Sequence, residues 1–358
     1  MTVTSVPLTP PAVTAVAARV GARIADLLAD EAARWAAIDP ALAEPLASLD
    51  ELLAAGGKRL RPAFCHWAFV GAGGHPDDPA VADACAAVEL LHAFACIHDD
   101  VMDDSARRHG APTLHVDYAG RHRREGWRGP ADRFGASVAI LIGDLAFVYA
   151  DRCMDGAPAP AAAVWHELRT EVTLGQYLDL HGTARRAASP ELARRICQYK
   201  SGRYTVERPL QLGAAMAAPD RAAALLGPLS AFGAPLGEAF QLRDDLLGVF
   251  GDPVVTGKPV GEDLREGKPT LLAALARAAA TGSDAAFLER RLGAADLCPD
   301  EVAAMQGIFE STGARDTVEG TVDTLVDRAL EAADLLPLEA GAVAALCDMA
   351  RFVAGRDH

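Results

Sequence analysis

At 358 residues the chain can hold one large domain or two ordinary ones, and either arrangement buries a sizeable core. Hydrophobic residues make up 51% and Ala dominates, a composition that favours helices because Ala loses no side-chain entropy on entering one. The 34 Lys and Arg against 49 Asp and Glu give a net charge of −15, the reverse of the balance a general nucleic-acid binder carries. Seven Cys lie far apart with no C-x-x-C pair and an odd total, which argues against a disulfide framework or zinc site and suits a reducing, cytoplasmic setting. The N-terminus has neither a basic start nor an apolar core, so it does not read as a signal peptide. No apolar run of membrane-spanning length is free of charge or Gly/Pro interruption, and a membrane span is not expected.

In chain order, residues 1–12 are Thr/Pro-rich and read as a loose tail. Helical periodicity then predicts helices over 12–36, 42–54, 61–72, 79–106, 132–155, 159–183, 190–216, 220–250, 269–281, 300–312, 314–335 and 338–355. Breakers such as Ala55-Gly56-Gly57 and Gly73-Gly74-His75-Pro76 separate them, and no alternating strand pattern is found. Two stretches, Asp117 to Gly129 and Pro253 to Lys268, read as irregular, and loops of that length are commonly functional or mobile. With no repeat, heptad seam or linker, residues 13–358 read as one all-α domain.

The chemistry concentrates in acidic pairs. Asp99, Asp100, Asp103 and Asp104 fall near the end of the 79–106 helix, with Asp99 and Asp103 one turn apart on one face. Carboxylates packed this closely repel unless cations sit among them, and oxygen ligands with room for water suit Mg²⁺. A solvated acidic helix face is the plainer alternative, but the apolar run Glu89 to Ile97 carries this helix through the core. A second pair, Asp244-Asp245, lies on another helix; opposite the first, it would clamp a diphosphate through shared ions. Basic residues complete the pattern. Gly56-Gly57-Lys58-Arg59-Leu60-Arg61-Pro62 is a flexible turn entering a helix, Arg107-Arg108 follows the first acids, and Lys200-Ser201, Lys258 and Lys268 lie downstream. Each alone is an ordinary surface charge; together they read as an anion site.

These stretches carry a resemblance. GGKRLRP (56–62), LLHAFACIHDDVMDDSARRHGAPTLH (90–115), IGD (142–144), GQYLDL (175–180), KSGRYT (200–205), FQLRDDLLGVFGD (240–252) and TGKPVGEDLREGK (256–268) resemble, in order, the trans-isoprenyl diphosphate synthases or polyprenyl synthetases. The resemblance implies an all-helical bundle of the isoprenoid synthase type with a central cavity, a homodimer, and two substrates, isopentenyl diphosphate and an allylic diphosphate. The first aspartate-rich motif of the family falls on Asp99, Asp100 and Asp103, implied metal ligands of which Asp99 and Asp103 hold two Mg²⁺; the second falls on Asp244 and Asp245, with Asp244 holding a third. Lys58, Arg61, His92 and His109 are implied to bind isopentenyl diphosphate, and Arg108, Lys200, Ser201, Gln241 and Lys258 the allylic diphosphate. Catalysis would centre on Asp99, Asp103, Lys200 and Asp244.

Two departures from the family pattern matter. His109 replaces the second Arg of an Arg-Arg-Gly sequence, and a partly charged imidazole cannot make a bidentate guanidinium contact, so weaker or more pH-sensitive isopentenyl binding is expected, with Arg107 a candidate to compensate. Gly248 replaces the last Asp of the second motif. Phe94 and Ala95, five and four residues before Asp99, are the implied floor of the chain-length pocket and resemble synthases that stop at the C20 geranylgeranyl product; the plainer alternative is that Phe94 is a core aromatic. A farnesyl synthase, a class I terpene cyclase and a non-catalytic partner of another synthase are the competing readings, and the Gly-Gly-Lys-x-x-Arg cluster argues against the cyclase.

Overall fold

Helix starts follow the prolines and short polar residues that the chain sets ahead of each apolar run. The computed structural model describes residues 9–108, 110–186, 189–251 and 261–355. Within them run α1 (Pro11–Ala36), α2 (Glu44–Ala54), α3 (Leu60–Gly71), α4 (Pro79–Met102), α5 (Leu114–Arg124), α6 (Ala131–Arg152), α7 (Ala159–Ala184) and α8 (Pro190–Ile196). A π-helical segment, Cys197–Glu207, then leads directly into α9 (Arg208–Ala217). The rest comprises α10 (Ala222–Phe250), α11 (Glu262–Glu266), α12 (Leu271–Ala279), α13 (Gly282–Arg291), α14 (Pro299–Ser311), α15 (Ala314–Ala333) and α16 (Ala340–Ala354). Pro in the first turn opens α1, α4, α8 and α14, where its missing N–H costs nothing. The side chains of Asp78, Ser189 and Thr270 cap α4, α8 and α12, accepting from the backbone N–H of Ala80 (2.8 Å), Leu192 (3.1 Å) and Ala273 (3.2 Å).

The all-α expectation holds, and the one sheet among the described residues is a two-residue hairpin, β1 (Arg107–Arg108) against β2 (Ala111–Pro112). Four details differ from the sequence reading, the first being that α13 (Gly282–Arg291) falls between the helices predicted over 269–281 and 300–312. Helix α4 stops at Met102, not 106: Asp103 is its C-cap and Asp104 turns left-handed at φ 52°. Asp117 to Gly129 is not irregular throughout, since α5 extends to Arg124. Of the stretch from Pro253 to Lys268, residues 253–260 lie outside the described residues, and Glu262 to Glu266 is a short helix.

A contiguous apolar core draws on helices from α1 to α16, with Phe64, Leu90, Leu91, Ile97, Trp165, Phe232 and Phe309 fully buried. Burying each such side chain stabilises the fold by roughly 1.5–3 kcal/mol. Helix α4 lies inside this core, so its membrane-like length and hydropathy are those of a core helix. Helix α6 is also long and apolar enough to cross a bilayer, and it keeps Ile140, Leu141 and Val148 exposed. The π-helical segment is pressed between α7 and α10. A methyl group at Gly237 of α10 would stand 2.2 Å from the Gly202 carbonyl oxygen, and one at Gly175 of α7 would stand 2.3 Å from the Lys200 backbone nitrogen. Only glycine admits backbone contact this close, and it sets the position of Lys200 between two helices.

Candidate active site

The last turn of α4 delivers the first acids. Asp99 accepts from Gln176 Nε2 on α7 (2.7 Å) and from Lys200 Nζ on the π-helical segment (3.1 Å). Lys200 also pairs with the buried Asp179 of α7. Burial by itself would raise the Asp99 carboxyl, but the ammonium groups of Lys200 and Lys268, with Arg108, outweigh it and hold that group down at about 2. Asp103 is raised instead, by burial and by the Asp99 charge, against the pull of Lys268. Asp100 is buried and clamped by a guanidinium: Arg108 Nε lies 3.0 and 2.9 Å from its two oxygens and Nη2 lies 2.8 Å from Oδ1. The carboxylate that the sequence placed among the metal ligands is thus occupied by a bidentate guanidinium.

Lys268 ties the first motif to the far side. Its Nζ lies 3.1 Å from Asp103 Oδ2, 2.6 Å from Glu266 and 3.7 Å from Asp263. These acids drive its affinity for a proton well up despite burial. On α10, Asp245 is buried and accepts from Gln241 Nε2 at 2.7 Å, while Asp244 is half-buried one residue before it. Burial, reinforced by the neighbouring Asp263, pushes the Asp245 carboxyl up to about 8. Ser201 is buried in the π-helical segment, next to Lys200.

A second cluster gathers lower on α4. Arg61 Nη1 lies 3.2 Å from His92 Nε2, Arg61 Nη2 donates to the Tyr204 hydroxyl at 2.8 Å, and that hydroxyl lies 3.3 Å from His92 Nδ1. The Arg61 guanidinium also covers the Tyr204 ring at 4.5 Å. Lys58 lies over the Phe352 ring of α16 at 5.5 Å. Its neighbour Arg59, left-handed at φ 51°, turns inward to Glu89 and the Leu53 carbonyl, so it serves the turn and not the cluster. Strand alternation points Arg107 away from Arg108, and it bonds the Gly110 carbonyl at 2.6 Å, a geometry that gives no support to its replacing His109. His109 and Lys258 lie outside the described residues. Below Asp99, the Phe94 ring packs against His98 (4.6 Å) and Phe147 of α6 (4.9 Å), and Ala95 is half-buried beside it.

Gln176, Asp179, Tyr204 and Asp263 are the site residues that sequence reasoning did not single out. All four stand inside stretches that resemble the family, and helical spacing offered a signal: Gln176 and Asp179 share a face, as do Lys200 and Tyr204.

The sequence profile of the polyprenyl synthetase family matches residues 43–309. The chain belongs to that family. As a polyprenyl synthetase it is a trans-prenyltransferase. It is 33% identical over 296 residues to a short chain isoprenyl diphosphate synthase of Methanothermobacter thermautotrophicus, covering 81% of this chain and 83% of the relative. It is 36% identical over 245 residues to the geranylgeranyl diphosphate synthase of Mycobacterium tuberculosis, 64% of each chain. A geranylgeranyl pyrophosphate synthase of Corynebacterium glutamicum, solved in complex with isoprenyl diphosphate and magnesium, superposes with a TM-score of 0.89 at 36% identity, covering 95% of this chain and 98% of that one. Other relatives are named farnesyl and nonaprenyl diphosphate synthases, so membership fixes the reaction and not the product length.

The family is magnesium-dependent, and the donor set here fits that ion. Asp99, Asp103 and Asp244 offer hard carboxylate oxygens only. Among the described residues no group of three or more such side chains closes on one point. Magnesium characteristically takes one or two carboxylates and completes its shell from water and substrate phosphates.

Proposed function

We propose that this prenyltransferase condenses isopentenyl diphosphate with an allylic diphosphate and releases geranylgeranyl diphosphate (C20). The observation that carries the reading is the pair of half-buried ammonium groups set against the acidic motifs, Lys200 on Asp99 and Lys268 on both Asp103 and Asp263. Cations held at that depth by carboxylates are suited to a ligand of high negative charge that shares those carboxylates through metal. Arg108, Lys200, Ser201, Gln241 and Lys258 would hold the allylic diphosphate, joined by Lys268. Lys58, Arg61, His92 and His109 would hold isopentenyl diphosphate. Asp100 serves the set by aiming Arg108. Three magnesium ions on Asp99, Asp103 and Asp244 would stabilise the charge of the departing diphosphate.

Lys200 and Arg108, fixed by Asp179 and Asp100, need no reorganisation as the allylic C–O bond breaks and its electron pair leaves on the diphosphate. Arg61 and His92 orient the second substrate so that its double bond attacks the allylic carbon. A proton then passes from the new chain to the released diphosphate, leaving a trans product five carbons longer. Phe94, braced by Phe147, is the floor that limits elongation.

We also propose a cytoplasmic homodimer acting as one catalytic domain per chain. Ile140, Leu141 and Val148 of α6 and Leu174 and Tyr177 of α7 are exposed large apolar side chains that a second copy would cover. The decisive experiment supplies isopentenyl and farnesyl diphosphates with Mg²⁺ and follows products by chromatography. A C20 diphosphate that disappears with EDTA is expected; absence of chelator-sensitive elongation overturns the reading.

A further inference from the structure

The 11 residues of Cys197–Glu207 form a π-helical run far longer than the single widened turn usual in proteins. Such a run persists only where its surroundings hold it, and α7 supplies the hold. Glu171, Gly175 and Asp179 stand four residues apart on one face of that helix. Asp179 takes the Lys200 ammonium, Gly175 meets the Lys200 backbone, and Glu171 takes the Arg203 guanidinium. The segment is thus tied to α7 at Lys200 and again at Arg203.

Glu171 is itself part of a closed ring of side chains. Arg208 Nε lies 2.7 Å from its Oε2 and Arg208 Nη2 lies 2.7 Å from its Oε1. Arg208 Nη1 donates to Gln211 Oε1 at 2.7 Å, Gln211 Nε2 to Ser230 Oγ at 2.8 Å, and Ser230 Oγ to Glu207 Oε1 at 2.7 Å. Arg203 Nε closes the ring, 3.7 Å from Glu207 Oε2. Glu171, Glu207 and Gln211 are buried, and the two carboxylates are balanced by the two guanidinium groups. Burial would raise the Glu171 carboxyl, but Arg208 and Arg203 outweigh it and hold that group below its ordinary value. The reaction proposed above uses none of these side chains.

We propose that Glu171 is a positioning residue for prenyl transfer: through Arg203 it fixes the π-helical register that presents Lys200 to Asp99 and Tyr204 to Arg61. The proposal rests on the reading of Lys200 as a diphosphate ligand. Without the link from Glu171 to Arg203, the segment relaxes towards ordinary helical turns and Lys200 rotates away from Asp99.

The test compares Arg203→Gln, Glu171→Gln and Ser230→Ala. Arg203→Gln leaves Glu171 both bonds from Arg208, whereas Ser230→Ala opens the ring at its far corner and spares the link to α7. Thermal denaturation reports folding. Well below the melting point, calorimetry gives the affinity for inorganic pyrophosphate at saturating Mg²⁺, and turnover of isopentenyl and farnesyl diphosphates gives kcat. Arg203→Gln and Glu171→Gln should each bind pyrophosphate about ten-fold more weakly and turn over up to about 100-fold more slowly, the scale of a displacement near 1 Å. Ser230→Ala should melt lower, because Gln211 and Glu207 lose a partner, yet bind and turn over as the parent does. If one of the two link variants fails to fold, the other decides. A folded link variant with the parent's pyrophosphate affinity overturns the inference alone. So does a Ser230→Ala protein that loses as much affinity as Arg203→Gln, since any loosening of the ring then has the same effect. Failure of the parent protein to bind pyrophosphate with Mg²⁺ overturns the diphosphate reading of Lys200 and this inference together.

Discussion

At the scale of single residues, two side chains make claims that can be measured. Phe94 lies one turn and a residue before Asp99, against Phe147. If it closes the pocket, Phe94→Ala lengthens the product by one or more C5 units in chromatography, whereas an unchanged product returns Phe94 to the role of a core aromatic. His66 on α3 is buried, and that burial, with the nearby Arg19 charge, lowers its imidazole from 6.5 to about 4. The folded protein therefore keeps His66 neutral where the unfolded chain has already bound a proton. Stability from this residue is intact above pH 6.5 and is lost as pH falls from 6.5 towards 4. Thermal denaturation across that window should show a shallower acid decline for His66→Gln; an identical slope sinks the assignment. Legibility at this scale was uneven. The charged residues of the site were visible because their spacing repeats a known pattern, but the use of Asp100 was not. A run of four aspartates gives no sign of which one a distant Arg108 will claim.

At the scale of elements, the Ala-rich periodicity and the proline starts read true, and helix positions agree closely from α1 to α4 and from α6 to α10. The end of α4 was misjudged because Asp103 and Asp104 prolong an acidic pattern while the backbone has already turned left-handed. Helix α5 was missed because DYAGRHRR offers charge in place of an apolar stripe, although Tyr118 and Ala119 bury one face. The π-helical segment could not be read at all, since its residues have ordinary helical propensity and its widened turn answers to the glycines of two other helices. Gly237→Ala tests that account. Its new methyl meets backbone, which cannot swing aside, so a loss of at least about 2 kcal/mol in stability is expected, with a lowered melting temperature. A variant as stable as the parent means that the contact is looser than the geometry says.

At the scale of the whole molecule, an enzyme of net charge −15 must draw in substrates that are themselves polyanions. Arg108, Lys200 and Lys268 stand beside the first acidic motif, while the long-range field opposes approach. Screening that field should help: at fixed free Mg²⁺, the association rate of a diphosphate substrate is expected to rise as salt increases towards about 150 mM, where the Debye length is near 8 Å. Stopped-flow binding measures this, and a rate that falls steadily with salt would show that local cations dominate from a distance.

The seating of Lys200 and Lys268 among carboxylates also dictates how ligands enter. A divalent ion arriving alone must take Asp99 or Asp103 from an ammonium and leave that lysine with its remaining acids, Asp179 for Lys200 and Glu266 for Lys268. One arriving with a diphosphate gives the evicted lysine an immediate new anion to grip. On the proposed reading, loading is an exchange of partners, and metal and phosphate enter most easily together.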